Sequence, residues 1–263
     1  MTIWYPDVSN HQGNLKLEAK TVAVCAKASE GDFYSDPYFA HFRSEAKRVG
    51  AFFFAYHWPH SDSAGDVAKA LANIPRGIGT MLDVEQVGFS YAQCRSWISK
   101  YRDKGGICNL AYIPKWYWQS HWNSCDMSTL GAMGVHIVSS NYTTYSDSGP
   151  GWTPYGKLTP AIWQYSDNLA YSNSHVDFNA YKGTLAQLKD LVLKGPVMSD
   201  AHNSTNNRQV WHEDGTIPNP APKRYADGAR PGIMGETALT YALRELDTLR
   251  TDVDKLLSHF GIK

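Results

Sequence analysis

Between residues 3 and 193 the chain alternates short apolar runs with amphipathic helical patterns, and this alternation constrains its fold more than any other feature. The runs are Ile3–Val8, Val22–Lys27, Ala51–His57, Ile78–Val84, Ile107–Tyr112, Val135–Ser139, Ala161–Tyr165 and Val176–Phe178. Helical periodicity covers Pro37–Val49, Ala64–Ile74, Tyr91–Lys104 and Leu185–Leu193. Strand, helix, strand with buried-strand composition predicts parallel β/α units. Eight such runs predict a barrel of the α/β class. The stretch is short for that fold, which typically takes ~250 residues. The later runs also lie too close together for full helices between them. The expectation is an irregular, trimmed (β/α) barrel of about eight strands over residues 1–197.

The composition changes after Pro196. Residues 198–237 are polar and carry Pro218, Pro220, Pro222 and Pro231 with Gly215, Gly228, Gly232 and Gly235, the signature of a linker. Over 238–263, Leu239, Leu246, Val253 and Phe260 recur every seven residues, and Ala242, Leu249 and Leu256 fill the second seam position. That pattern predicts an amphipathic helix that associates as a coiled coil. Docking on the chain's own barrel domain is the alternative.

Lys+Arg and Asp+Glu are equal at 25 each, so no basic surplus points to nucleic acid. No apolar stretch reaches the ~18 residues that a membrane span needs. The four cysteines, Cys25, Cys94, Cys108 and Cys125, form no CxxC pair, which argues against a zinc ribbon. No cofactor is expected, because neither GxxxxGK[ST] nor a strand-borne GxGxxG occurs. The start lacks the charged and apolar regions of a signal peptide. The expectation from this is a protein made soluble and not sent out by the usual secretory route. Eight of the nine Trp precede residue 200, which suits a large core first and, in the same domain, a cleft whose rings stack on sugar faces.

The chemistry centres on Gly79-Thr80-Met81-Leu82-Asp83-Val84-Glu85. Side chains alternate along a strand, so Asp83 and Glu85 share a face roughly 6.5–7 Å apart at the backbone. Polar residues at the C-terminal ends of barrel strands line active sites. Two carboxylates there suit glycosidic cleavage: one donates a proton to the leaving oxygen, the other faces the positive charge that develops on the sugar. Asp7 closes the first run, with Tyr5 and Ser9 on its face, and Asp177 lies in the last, aligned with Asn179. Four carboxylates at three strand ends are costly to gather unless a cation or a proton belongs there.

Six motifs follow one another in order: Tyr5-Pro6-Asp7-Val8-Ser9, Lys27-Ala28-Ser29-Glu30-Gly31, Ala55-Tyr56-His57-Trp58, Leu82-Asp83-Val84-Glu85, Trp163-Gln164-Tyr165 and Val176-Asp177-Phe178-Asn179. Over residues 3 to 195 the chain resembles glycoside hydrolase family 25, the Chalaropsis-type muramidases common among bacteriophage endolysins. The resemblance implies a trimmed barrel with an acidic cleft that cleaves peptidoglycan between N-acetylmuramic acid and N-acetylglucosamine. It implies Glu85 as the acid/base, Asp83 as its partner, and Asp7 and Asp177 as the remaining cleft aspartates. Tyr56, Trp58, Tyr112 and Trp163 are the expected sugar contacts. The resemblance assigns nothing to 198–263; with no signal peptide visible, it implies a protein held in the host cytoplasm until its release to the cell wall, with carriage on the virion as the alternative.

Two rival readings remain. A metal hydrolase would use the four carboxylates with His11, His57 or His175, but no HExxH or HxxxH spacing occurs, and Pro59 between His57 and His60 breaks a helical ligand pair. No metal is therefore expected. A wall-binding protein without catalysis on the same fold is the other reading.

Overall fold

The computed structural model describes residues 1–194; the linker and the heptad helix expected from the sequence lie outside the described residues. Every expected apolar run forms a strand. The strands are β1 (Thr2–Val8), β2 (Ala23–Glu30), the short β3 (Tyr34–Ser35), β4 (Phe52–Trp58), β5 (Gly79–Asp83), β6 (Ile107–Tyr112), β7 (His136–Ser140), β8 (Ile162–Tyr171) and β9 (Ser174–Lys182). They form one sheet in the order β1-β9-β8-β7-β6-β5-β4-β2-β3, and an added β1–β2 pairing closes it. Eight strands thus make a barrel, with β3 as a spur on β2.

One departure from a purely parallel barrel has a simple cause. β9 runs antiparallel to both β8 and β1. Only Ser172 and Asn173 separate β8 from β9, and a parallel return needs a crossover of roughly a dozen residues or more. Ser172 takes φ 54°, the left-handed conformation that so tight a hairpin requires. Register shifts in β8 between Gln164 and Leu169 bend the hairpin. Its tip lies over the β1–β2 link, where the Tyr171 hydroxyl accepts from the Glu18 amide at 3.0 Å and bonds Thr21 Oγ1. The hairpin covers this wall in place of a helix after β1.

Helices α1 (Phe39–Val49), α2 (Ala64–Asn73) and α3 (Tyr91–Asp103) pack around the first half of the barrel. Their ends carry expected chemistry. Ser63 caps α2, Ser90 and Gln93 form a capping box on α3, and α1 stops at Gly50 with φ 74°. The β6–β7 link holds two short helices that the apolar periodicity does not reveal, α4 (Lys115–His121) and α5 (Ser128–Ala132). The β7–β8 link has only a 3-10 turn at Pro150–Trp152. No helix among the described residues is long and apolar enough to cross a membrane.

Two cores result. One lies between barrel and helices and contains Phe42, Val67, Trp97, Ile98 and Tyr101. The other fills the barrel with Tyr5, Cys25, Phe54, Met81, Leu110, Val138 and Ile162. The last helix, α6 (Leu185–Leu193), closes the floor of this interior with fully buried Leu188 and Val192. Asn109 Nδ2 donates to the Val192 carbonyl at 3.1 Å. Position 79 must be glycine for this fit, because a Cβ there would stand 2.3 Å from Val192 Cγ1. With the floor sealed, the opposite end, where the parallel strands finish, is the open one.

Candidate active site

Moving up the interior, the inward side chains change from apolar to polar. Tyr5 gives way to Asp7, Cys25 to Lys27, Phe54 to Tyr56 and Trp58, Met81 to Asp83, Leu110 to Tyr112, and Ile162 to Gln164. β9 enters from the opposite direction and supplies Asp177 near its start. Together with Glu85, Tyr142, Ser9, His11 and Gln12 these residues line a cleft of about 450 Å³. All four carboxylates expected from the sequence meet there, as do Tyr56, Trp58 and Tyr112.

Glu85 is not on the strand. β5 ends at Asp83, but the Val84 amide still donates to the Tyr112 carbonyl at 2.9 Å. The strand alternation therefore runs past the assigned end and keeps Glu85 on the cleft side. Trp163 is the expected sugar contact that the barrel sends elsewhere. It is fully buried on the outer face, its indole donates to the Asn141 carbonyl at 2.9 Å, and Gly149 and Gly151 press against its ring. Alternation is the reason: Gln164 faces inward, so its neighbour faces out.

The charge balance is strongly one-sided. Asp7 and Asp177 stand directly opposite each other in the β1–β9 register. Asp7 Oδ2 accepts from Asn179 Nδ2 at 2.7 Å and from Gln164 Nε2 at 3.0 Å. Burial raises the Asp7 carboxyl, and these donors pull it back down. Asp177 is pushed up to about 9 by burial and then by the Asp7 charge. The facing pair thus shares one proton, which Asp177 keeps. Asp83 and Glu85 form a second coupled pair. Burial, followed by the Glu85 charge, drives Asp83 well above the carboxylate range, and burial, followed by Asp7, pushes Glu85 up to about 7. Lys27 opposes both shifts, but its ammonium is already held by Glu30 Oε2 at 2.6 Å. Asp83 Oδ1 is buried and has no hydrogen-bond partner.

Gln12 and three further cleft residues, Gln164, Lys27 and Tyr142, were not singled out in the sequence. Gln164 is held by Tyr112 and Tyr142, whose hydroxyls donate to its Oε1 at 2.9 and 3.0 Å, and this turns its NH₂ toward the aspartates. Lys27 belongs to a quoted motif, yet one lysine in an apolar strand carries no signal of its own. Tyr142 sits in a loop without periodicity. Conversely, Ser29, His57 and Asp66 form a hydrogen-bonded chain, Ser29 Oγ to His57 Nδ1 at 2.9 Å and His57 Nε2 to Asp66 Oδ1 at 2.8 Å. The chain lies outside the barrel wall and all three side chains are sealed from solvent. Trp97 stacks on the imidazole and donates to Asp66 at 2.7 Å. It fastens α2 and α3 to the sheet and has no route to a substrate. Among the described residues no three imidazole, thiol or carboxylate groups converge closely enough to hold a metal ion. The four thiols are free.

A search of curated proteins finds no match. Solved structures do match. A family GH25 lysozyme from Aspergillus fumigatus is 23% identical, with 73% of this chain and 99% of that chain covered at a TM-score of 0.57. A bacterial lysozyme from Streptomyces coelicolor is 20% identical over 73% of this chain and 97% of that one, at 0.59. The CTP1L endolysin is 19% identical over 79% of each chain, at 0.53. These likenesses establish the fold. The sequence model "Glycosyl hydrolases family 25" matches residues 6–174, a span that takes in Asp7, Asp83 and Glu85 at the barrel mouth, and the chain belongs to that family.

Proposed function

We propose that this family 25 glycosidase is an N-acetylmuramidase, which hydrolyses the β-1,4 bond between N-acetylmuramic acid and N-acetylglucosamine in bacterial peptidoglycan. The observation that carries the reading is the Asp83–Glu85 pair at one strand end, both lining the cleft with Asp83 buried, where burial and neighbouring charge favour a retained proton. Glu85, the shallower of the two, donates that proton to the glycosidic oxygen as the bond to the anomeric carbon breaks. Asp83 faces the oxocarbenium-like transition state or orients the acetamido group of the sugar. Asp83 lines the cleft, where its carboxylate can accept an acetamido N–H. That hydrogen bond favours ionised Asp83 and moves the shared proton onto Glu85, where the reaction needs it. Water then gives its hydroxyl to the anomeric carbon and its proton to the Glu85 carboxylate. Asp7 and Asp177 hold the local charge and fix the sugar, with Tyr56, Trp58 and Tyr112 as apolar walls.

The direct test is mass spectrometry of the soluble products from purified peptidoglycan. Wild type releases fragments with a reducing N-acetylmuramic acid end, and Glu85→Gln releases none. Reducing N-acetylglucosamine ends would make the enzyme a glucosaminidase instead. Wall binding without any released sugar would favour the non-catalytic reading.

Burial of the acid also has a thermodynamic sign. A carboxyl whose folded pKa is raised stabilises the fold below its unfolded value, and that contribution is lost as pH rises through the folded value. For Glu85 the window runs from its ordinary 4.5 to about 7. Glu85→Gln should therefore melt close to wild type at pH 4 and above it at pH 8, by about 2–4 °C per kcal/mol relieved. Differential scanning calorimetry across that range checks it; an increment that does not grow with pH would reject the assigned burial cost.

The biological setting is proposed on the same footing. The chain acts as a bacteriophage endolysin, supported by its likeness to the CTP1L endolysin. It is held in the host cytoplasm until it reaches the wall, and its lytic action makes it antimicrobial. Expression in a sensitive host should lyse cells only together with a pore-forming partner, and lysis without one would overturn this. The heptad pattern of 238–263 supports a homo-oligomer. Light scattering should find full-length protein oligomeric and a chain ending near residue 197 monomeric. A truncated chain that stays oligomeric would reject the helix as the cause.

A further inference from the structure

Glu85 lies in the irregular stretch between β5 and α3, so no ladder of strand hydrogen bonds fixes it. Its neighbours' backbone groups show what does. On one side the Val84 amide donates to the Tyr112 carbonyl at 2.9 Å. On the other, the chain turns through Gly88, with φ 88°, and the Phe89 amide donates to the Gln86 carbonyl at 3.0 Å. Both carbonyls of that turn converge on one side chain from a different element. The Tyr117 hydroxyl, on α4, lies 2.5 Å from the Gln86 carbonyl and 2.8 Å from the Phe89 carbonyl. Tyr117 is fully buried, and its ring packs against His121 and Trp122. Trp122 donates to the same Phe89 carbonyl at 2.8 Å. The Gln86 side chain reaches only the adjacent Val87 carbonyl, at 3.4 Å, so it does not hold the turn to the rest of the fold.

We propose that Tyr117 is a positioning residue for the catalytic acid: its phenol pins the Gln86–Val87 peptide unit, one residue beyond Glu85, and so sets where the carboxyl stands in the cleft. The inference rests on Glu85 being the acid. A phenol has a single proton, and two carbonyls that flank it share a three-centre bond. This arrangement resists displacement of either end of the turn. Reacting groups must be held within roughly 0.5 Å, and a 1 Å misplacement costs on the order of 100-fold in rate. Glu85 is faced by Asp83 from β5, Asp7 from β1, Asp177 from β9, Lys27 from β2, Tyr112 from β6 and Tyr142 from the β7–β8 link. Its position among them, and its shelter from water, decide how strongly it keeps its proton.

Tyr117→Phe removes one oxygen and leaves the ring. The expected result is a kcat lower by about 10- to 100-fold at unchanged KM, with the alkaline limb of the kcat profile moved to lower pH as Glu85 gains water. Hydrogen exchange across residues 84–90 should quicken. Replacement of Tyr117 by p-aminophenylalanine, which restores a donor at the same place, should recover kcat and the limb, and it serves as the readout if Tyr117→Phe folds poorly. Unchanged kcat and an unmoved limb in folded Tyr117→Phe, or failure of the amino analogue to restore them, would overturn the role. Glu85→Gln run in parallel separates the causes: an active Glu85→Gln enzyme removes the acid assignment and this inference with it, whereas an inactive one beside a normal Tyr117→Phe removes the inference alone.

Discussion

Everything at the open end of this barrel depends on β1 being paired on both edges, with β9 on one side and β2 on the other. That closure sets Asp7 opposite Asp177 and beside Cys25. Like charges directly opposite in an antiparallel pair repel, and burial raises the cost. The register is nevertheless unambiguous, because a slip by one residue would turn Tyr5 out of the interior and Trp4 into it. The repulsion is met with a shared proton, the Asn179 and Gln164 amides, and the two tyrosines that orient Gln164. Apolar packing lower in the barrel thus holds a polar arrangement that would not assemble alone.

The raised pKa of Glu85 and the site's instability have one origin. A carboxyl that stays protonated near pH 7 must be denied water and surrounded by negative charge, and both conditions weaken the fold as pH rises. The mouth holds four carboxylates against one lysine, and that lysine is committed to Glu30. Its ammonium also lies 5.0 Å from the Trp58 ring centroid. Lys27 therefore moderates the carboxylate field without cancelling it.

Residue identity alone is a poor guide to chemistry here. Ser29, His57 and Asp66 are joined by hydrogen bonds of the lengths that a hydrolytic triad uses, yet they face the helix layer and touch no solvent. Their bonds satisfy buried polar groups between β2, β4, α2 and α3. The side chains a residue or two away on the inner face of the same strands, Lys27, Tyr56 and Trp58, meet an open cleft. Access separates a structural cluster from a functional one.

The eight strands, the four long helices and the approach of Asp7, Asp83, Glu85 and Asp177 were legible in the sequence, because period-2 and period-3.6 patterns and strand-end polarity are local properties. The ordered motifs were enough to point to the family. Other features depended on groups far apart in the chain. The reversal of β9 came from a two-residue link, and the outward turn of Trp163 from a barrel interior that had room for Gln164. Lys27 and Tyr142 joined the cleft because closure brought their elements to one mouth. The short helix α4 has no periodicity to betray it, and Tyr117 gained its place beside Glu85 only when that helix packed against the turn after β5. Local pattern decided which residues could face inward; closure of the sheet decided which of them met, and how much water they kept.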